Sequence, residues 1–260
     1  MDLQLRNSVV AVTGGSSGIG LATARLFLAE GAHVAICGRD PVRLQGALAT
    51  LDGGDRLLGV ACDVLDAAQV LAFRERVLAW RGGCDVLVNN AGQGRVSTFA
   101  QTSDADWQDE LTLKFFSQIN PIRAFQEDLR NSGHGAIVAV NSLLALQPEP
   151  HMVCTSAARA GVQNLIKSLS GELAPHIRVN SILLGLVDSG QWQRRFEARA
   201  DKTISRECWF RDLADRKAIP MQRLGDPDDA ARAIVFLASP AAGYITGSRL
   251  EVSGGVSRFI

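Results

Sequence analysis

Four glycines, Gly14, Gly15, Gly18 and Gly20, stand in one short turn between two apolar segments. Before them runs a β-branched stretch, Val9, Val10 and Val12. After them comes a helical pattern of Leu21, Ala24, Leu26, Phe27 and Leu28 that stops at Gly31. Without Cβ atoms, the backbone of such a turn can approach a phosphate closely. A helix starting there aims unpaired N–H groups and a partial positive charge at the same anion. The chemistry these residues specify is the cradling of a phosphate or pyrophosphate, and the strand–turn–helix context gives the glycine pattern its meaning. Small and polar residues also close the other apolar runs: Gly38-Arg39, Cys62-Asp63, Asn89-Asn90, Asn141-Ser142 and Leu184-Gly185.

The elements that must position these groups follow in regular alternation. Strands are expected at Val9–Val12, His33–Cys37, Leu57–Ala61, Asp85–Val88, Ala136–Val140, Ile177–Leu183 and Arg249–Val252. Between them lie helical stretches with legible starts. Asp40-Pro41, Asp66, Ser103 with Asp106, and Asp226-Pro227 read as N-caps, with proline at a first helical position where it fits. Long helices are expected from Asp104 to Leu129, with Pro121 as a kink point, and from Val153 to Ala174, ended by Pro175. The segment from Gln191 to Lys217 is charged, polar and aromatic, and reads as partly helical. Strands alternating with helices predict βαβ units, hence an α/β doubly wound parallel sheet of about seven strands with helices on both faces. Ligands of such a sheet gather at the carboxyl ends of the strands, where the polar residues cluster.

The bulk composition narrows the function classes. The 260 residues suit one domain, and 47% hydrophobic content supplies a sizeable core. Lys plus Arg (27) balances Asp plus Glu (27), which gives no basic footprint for nucleic acid and no polybasic run for a membrane. No apolar stretch reaches bilayer length, and MDLQLRNSVV lacks a hydrophobic signal core. The cysteines, Cys37, Cys62, Cys84, Cys154 and Cys208, are scattered and odd in number. That suits reduced thiols in a cytoplasm and argues against a disulfide framework or a zinc site.

Over essentially its whole length the chain resembles the short-chain dehydrogenase/reductase family. The resemblance rests on Thr13-Gly14-Gly15-Ser16-Ser17-Gly18-Ile19-Gly20, Asn89-Asn90-Ala91-Gly92, Asp63, Ser142, Arg178-Val179-Asn180, Tyr244-Ile245-Thr246-Gly247 and Gly254-Gly255. It implies a single Rossmann-like domain over residues 1–260, with a substrate lid at about 186–220. It also implies a cytoplasmic oxidoreductase acting on a small-molecule substrate as a homodimer or homotetramer, with no metal, nucleic acid or membrane. The paired helices would present Leu111, Phe115, Phe116, Leu165, Ile166 and Leu169 to a second subunit. Cofactor contacts implied are Gly14, Ser16, Ser17, Gly18, Ile19, Gly20, Arg39, Asp63, Val64, Asn90, Ala91, Gly92, Arg159, Gly185, Val187 and Ser189. At the end of the second strand an acid would serve the ribose of NAD, whereas Gly38 with Arg39 suits the 2′-phosphate of NADP. NADP(H) is therefore the expected cofactor, with NAD(H) the alternative.

The chain departs from the family at its chemistry. The family uses a tyrosine and, four residues later, a lysine, with a serine and an upstream asparagine. Carried onto this sequence, the serine is Ser142, the tyrosine position is Thr155, the lysine position is Arg159 and the asparagine position is Lys114. Tyr244, the single tyrosine, lies in the C-terminal motif and is a poor substitute. An aliphatic hydroxyl is a far weaker acid than a phenol, and a guanidinium does not pass protons, although its donor fork can hold ribose hydroxyls. Lys114 is the candidate replacement acid, its pKa depressed by nearby cations or by desolvation. In that reading Ser142 polarises a carbonyl and Thr155 adds a hydrogen bond. Further substrate candidates are His151, Cys154 and Trp192. Trp192, Phe196, Trp209 and Phe210 lie among Arg194, Arg195, Arg199 and Arg206, which reads either as a site for an aromatic or anionic substrate or as an amphipathic cover. The expected activity is hydride transfer to or from a small carbonyl, alcohol or imine. Two alternatives are a lyase or isomerase reusing the cleft, and a catalytically silent NADPH-binding protein.

Overall fold

The computed structural model describes residues 2–259. The side chains of Gln191 and Arg194, the second counted above among the arginines after the sixth strand, lie outside the described residues. Seven strands form one parallel sheet: β1 (Val9–Thr13), β2 (His33–Gly38), β3 (Leu57–Ala61), β4 (Val86–Asn89), β5 (Gly135–Ser142), β6 (Ile177–Leu184) and β7 (Arg249–Val252), in the order β3-β2-β1-β4-β5-β6-β7. All five residues of β1 are buried. Val10 pairs with Val34 on one side and Val86 on the other, so the strand is flanked by neighbours at both edges. Such a strand reads as a continuous apolar run because helices cover both of its faces.

The helices are α1 (Gly18–Ala29), α2 (Pro41–Leu51), α3 (Ala67–Arg81), α4 (Asp104–Asn131), α5 (Val153–Glu172), α6 (Gly190–Glu197), α7 (Arg206–Arg216) and α8 (Pro227–Ala238). Successive β1 residues point to opposite faces, which sorts Val10 and Val12 into one core and Ala11 into the other. The first core packs Phe27 of α1, Leu44 of α2 and Ile234 of α8. The second packs Phe73 of α3, Phe125 of α4 and Ile166 of α5, with the Phe73 and Phe125 rings edge-on at 5.6 Å. The expected caps form: Asp40 accepts from Val42 N at 3.0 Å, Asp66 from Ala68 N at 2.9 Å, and both Ser103/Asp106 and Asp226/Asp229 close capping boxes. Pro121 lies inside the uninterrupted α4. Arg178 explains its own motif by closing a helix end, its guanidinium donating to the carbonyls of Leu237 (2.8 Å), Ala238 (3.0 Å) and Ser239 (3.0 Å).

The charged segment after β6 is helical in part, as expected, and holds two helices, α6 and α7; Ser205 caps the second start by accepting from Cys208 N at 3.2 Å. It carries its own small core of Phe210, Leu213, Ala214, Ile219 and Leu224. The chain runs outward from β1 to β3 and then crosses back to β4 on the other side of β1. That reversal opens a crevice above the carboxyl ends of β1 and β4. Among the described residues no helix is long and apolar enough to cross a membrane.

Candidate active site

A cavity of about 750 Å³ occupies this crevice. It is lined by Gly14, Ser16, Ser17, Ile19, Arg39, Asp63, Val64, Asn90, Ala91, Gly92, Arg159, Gly185, Val187 and Ser189, as the resemblance implies for the cofactor. Gly18 and Gly20, from the same expectation, do not line it and instead shape the turn. Gly18 has φ +54°, in the left-handed region. A Cβ on Gly20 would sit 2.3 Å from the Gly14 carbonyl oxygen and 2.5 Å from Asn90 Nδ2, and one on Gly14 would sit 2.9 Å from Ala91 Cα. Asn90 fixes the turn by donating to the carbonyls of Thr13 (3.0 Å) and Gly14 (3.1 Å). The hydroxyl of Thr13 accepts from Asn90 N (3.0 Å) and Ala91 N (3.1 Å), which ties β1 to the loop after β4.

The helix that begins at this turn is left open. α2, α3, α4, α7 and α8 each have a side chain capping the first turn, whereas Ser17 makes no cap bond to α1 and no acid stands in that helix's first turn. First-turn N–H groups without a cap, over a turn with no room for a Cβ at Gly14 or Gly20, fit an anionic group. At the far end the cavity is lined by Gly38, Arg39, Asp40, Arg43, Cys62 and Asp63. A Cβ on Gly38 would meet Ser16 Oγ at 2.9 Å. Arg39 Nη1 is 3.8 Å from Asp63 Oδ2, and Arg43 Nη2 is 3.6 Å from Asp40 Oδ2. Arg43 was not foreseen. It lies on α2, and only the orientation of that helix, fixed by the Asp40 cap, shows that it faces the groove.

At the other end stand Ser142, Lys114 and Arg159. Ser142 closes β5 and lines the cavity, its Oγ accepting from Leu144 N at 3.2 Å, so its own proton stays available to an acceptor. Lys114, 5% exposed, donates to the Gln93 carbonyl and lies 2.8 Å from Glu110 Oε1. Loss of water, and secondly the positive charge of Arg159, pull its pKa down to about 8, against the opposing pull of Glu110. Desolvation is thus the larger cause, and the cation of Arg159 assists it. Arg159 donates from Nη1 to Asn141 Oδ1 at 3.2 Å, while its buried Nε has no protein partner. Burial brings its pKa down to about 10, so it stays a cation at neutral pH.

Thr155 departs from expectation. It is fully buried and is not among the residues lining the cavity. Its hydroxyl is given to Glu110, and its Oγ1 accepts from Arg95 N at 3.2 Å. Its one proton is therefore spent, and it has none left to donate to a substrate. Glu110, 2% exposed, was missed. The available signal was its place one helical turn before Lys114, where i and i+4 side chains meet.

Of the remaining candidates, Trp192 lines the cavity. His151 is half exposed, its Nε2 3.4 Å from Glu149 Oε2, and Cys154 is fully buried with Sγ 3.9 Å from the Asp106 carbonyl. Neither His151 nor Cys154 lines the cavity. Burial raises the Cys154 pKa, away from a thiolate. Tyr244 is fully exposed. The arginines of the segment after β6 stack on its own rings: Arg195 over Trp192 at 4.6 Å, Arg199 over Phe196 at 3.5 Å and Arg206 over Phe210 at 4.4 Å. Arg206 also pairs with Asp188.

Comparisons with known proteins agree with this architecture. A family model described as enoyl-(acyl carrier protein) reductase matches residues 14–257. An uncharacterised short-chain type dehydrogenase/reductase of Sinorhizobium fredii is 32% identical over 98% of this chain and 99% of its own. A short chain oxidoreductase of Pseudomonas aeruginosa, described as containing an atypical catalytic center, is 58% identical over 97% of this chain and 98% of its own, with a TM-score of 0.95. It has also been solved with NADPH bound, at a TM-score of 0.92. L-sorbose reductase of Gluconobacter frateurii, solved with NADPH and L-sorbose, is 34% identical over the full length of both chains, with a TM-score of 0.95. The glycine turn, the sheet order and these matches lead to one conclusion: the chain is a member of the short-chain dehydrogenase/reductase family.

Proposed function

We propose that the protein is an NADP(H)-dependent oxidoreductase acting on a small carbonyl, alcohol or imine, with Lys114 as its proton-donating group. The observation that carries this reading is the presence in one cavity of an uncapped, glycine-turn anion cradle and a desolvated lysine. The uncapped start of α1 would hold the pyrophosphate. Arg39 and Arg43 would take the 2′-phosphate, in a corner where Gly38 brings no competing charge. The buried, unpartnered Nε of Arg159 fits a polar acceptor such as a ribose hydroxyl. The NADPH-bound relatives support the cofactor assignment.

When bound, the nicotinamide supplies the hydride for reduction or accepts it for oxidation. The chain's own residues do the rest. Ser142 Oγ donates a hydrogen bond to the substrate oxygen or nitrogen. Lys114 Nζ, with a pKa of about 8, is mostly an ammonium at neutral pH and holds the proton that this atom takes up on reduction. Arg159 orients and does not exchange protons. An imine asks less of this acid, because it can arrive already protonated. The segment at 186–220 would act as the lid, presenting Trp192 to the substrate. A homodimer or homotetramer is proposed through α4 and α5, with half-exposed Leu111 and Phe116 as contacts. Ile166 is spent in the core and is not available to a partner.

The test is NADPH binding followed by tryptophan fluorescence, then NADPH oxidation against a panel of small carbonyls and imines. Binding with oxidation by part of the panel is the expected result. Binding without oxidation by any member would overturn the hydride reading in favour of a silent or non-redox use of the cleft.

A further inference from the structure

Glu110 is a carboxylate almost wholly removed from solvent, and such groups are rarely buried unless paired. Its two partners come from different helices, and the loop after β4 braces both of them. Lys114, one turn on along α4, brings Nζ to 2.8 Å from Oε1. Thr155, on α5, gives Oε1 its hydroxyl proton. The backbone of Arg95, in the loop after β4, holds Thr155 in place through its N–H at 3.2 Å. Lys114 in turn reaches the Gln93 carbonyl of that same loop. The groups facing Lys114 are therefore Glu110 from its own helix, Arg159 and Cys154 from α5, and the loop carbonyl. With Lys114 and Arg159 both cationic, Glu110 is the carboxylate that offsets them.

We propose that Glu110 is the positioning residue of the proton site: it fixes Lys114 Nζ at the cavity wall and keeps it a cation, and Thr155 serves to hold Glu110 rather than to touch substrate. The inference rests on the reading of Lys114 as proton donor and extends it to the group that makes that role workable. A lysine stripped of water beside a guanidinium would be a neutral amine at neutral pH without an opposite charge in contact. The three departures from the family at Lys114, Thr155 and Arg159 then form one arrangement. A threonine hydroxyl reaches the carboxylate, the carboxylate holds the ammonium, and the guanidinium keeps that ammonium ready to release its proton.

The lysines of this chain are Lys114, Lys167, Lys202 and Lys217, few enough to follow singly. With lysine 13Cε labelling, NMR titration of the full-length protein gives each midpoint, and Lys114 is assigned by the signal lost in Lys114→Met. Glu110→Gln keeps the side-chain size and removes the charge. The expected result is a fall in the Lys114 midpoint by about one pH unit or more, the size of effect an opposite charge in contact exerts, with the other lysines unmoved. The basic limb of any reductase activity moves down by the same amount. An unchanged Lys114 midpoint overturns the proposal. Should Glu110→Gln not fold, Glu110→Asp withdraws the carboxylate from Nζ, and an unchanged midpoint there overturns it equally. The lysine titration needs no substrate. A moved midpoint in a protein that oxidises no NADPH refutes the hydride reading and leaves Glu110 in place, whereas an unmoved midpoint in an active enzyme refutes Glu110 alone.

Discussion

Substituting Gly20 by alanine should damage the anion cradle out of proportion to the one methyl group added. The new Cβ would fall 2.3 Å from the Gly14 carbonyl oxygen and 2.5 Å from Asn90 Nδ2. Neither neighbour yields easily. The first is backbone in a turn with φ +66°, and the second is held by bonds to the carbonyls of Thr13 (3.0 Å) and Gly14 (3.1 Å). Overpacking of this kind costs about 1–3 kcal/mol. If the free protein relieves the strain by reshaping the turn, the cofactor must pull it back, and NADPH affinity falls by about 5- to 150-fold. If the turn keeps its shape, the same energy appears as lost stability. Both are therefore measured, the first by NADPH titration and the second by thermal unfolding. Gly82→Ala, at the end of α3, is the control: φ +77° strains an alanine, but nothing lies within 4 Å of its Cβ and Gly82 does not line the cavity. It should lose about 1 kcal/mol of stability and keep its affinity per folded molecule. A Gly20→Ala protein that melts and binds like the parent would refute the reasoning from close contact.

Other consequences follow from the same groups. With Lys114 as the proposed proton donor, the rate of reduction should fall as pH rises through about 8, while oxidation, which would need the neutral amine, should rise over the same range; pH–rate profiles in both directions check the sign. Gly38→Asp sets a carboxylate beside the corner of Arg39 and Arg43 and displaces Ser16 Oγ, 2.9 Å from the new Cβ. The ratio of NADPH to NADH affinity should drop about tenfold or more, by like-charge repulsion. Asn90→Ala strips the donor from two turn carbonyls, and unfolding should become easier by about 1–3 kcal/mol by denaturant titration.

The fold was largely legible because local signals agreed with one another. Val9 to Val12, the glycine turn and the apolar helix each point to the same βαβ unit, and Asp40, Asp66, Ser103 and Asp226 announce helices that form where they cap them. Substitution at the reaction end was legible too, since Lys114, Thr155 and Arg159 stand out against the family's pattern. Their partnership was not. Glu110 looks like any acid on a polar helix face until the fold brings Thr155, 45 residues away in sequence, against it. Thr155 itself was expected to face the substrate, because the family's tyrosine position falls on it. Its orientation depends on the Arg95 backbone, a tertiary contact with no sequence period. Arg43 escaped for a related reason, as a helix start tells where a helix begins but not which face meets the groove.

The central claim is that Lys114 has taken over the proton donation that a phenol performs elsewhere in the family. The most direct measurement compares Lys114→Met with the parent protein in NADPH oxidation at neutral pH, using whichever carbonyl the panel identifies and with NADPH affinity measured alongside. The account predicts a rate lowered by about 100- to 10,000-fold, the range for loss of a general acid, with cofactor affinity little changed. A Lys114→Met protein that binds NADPH and turns over at the parental rate would contradict it.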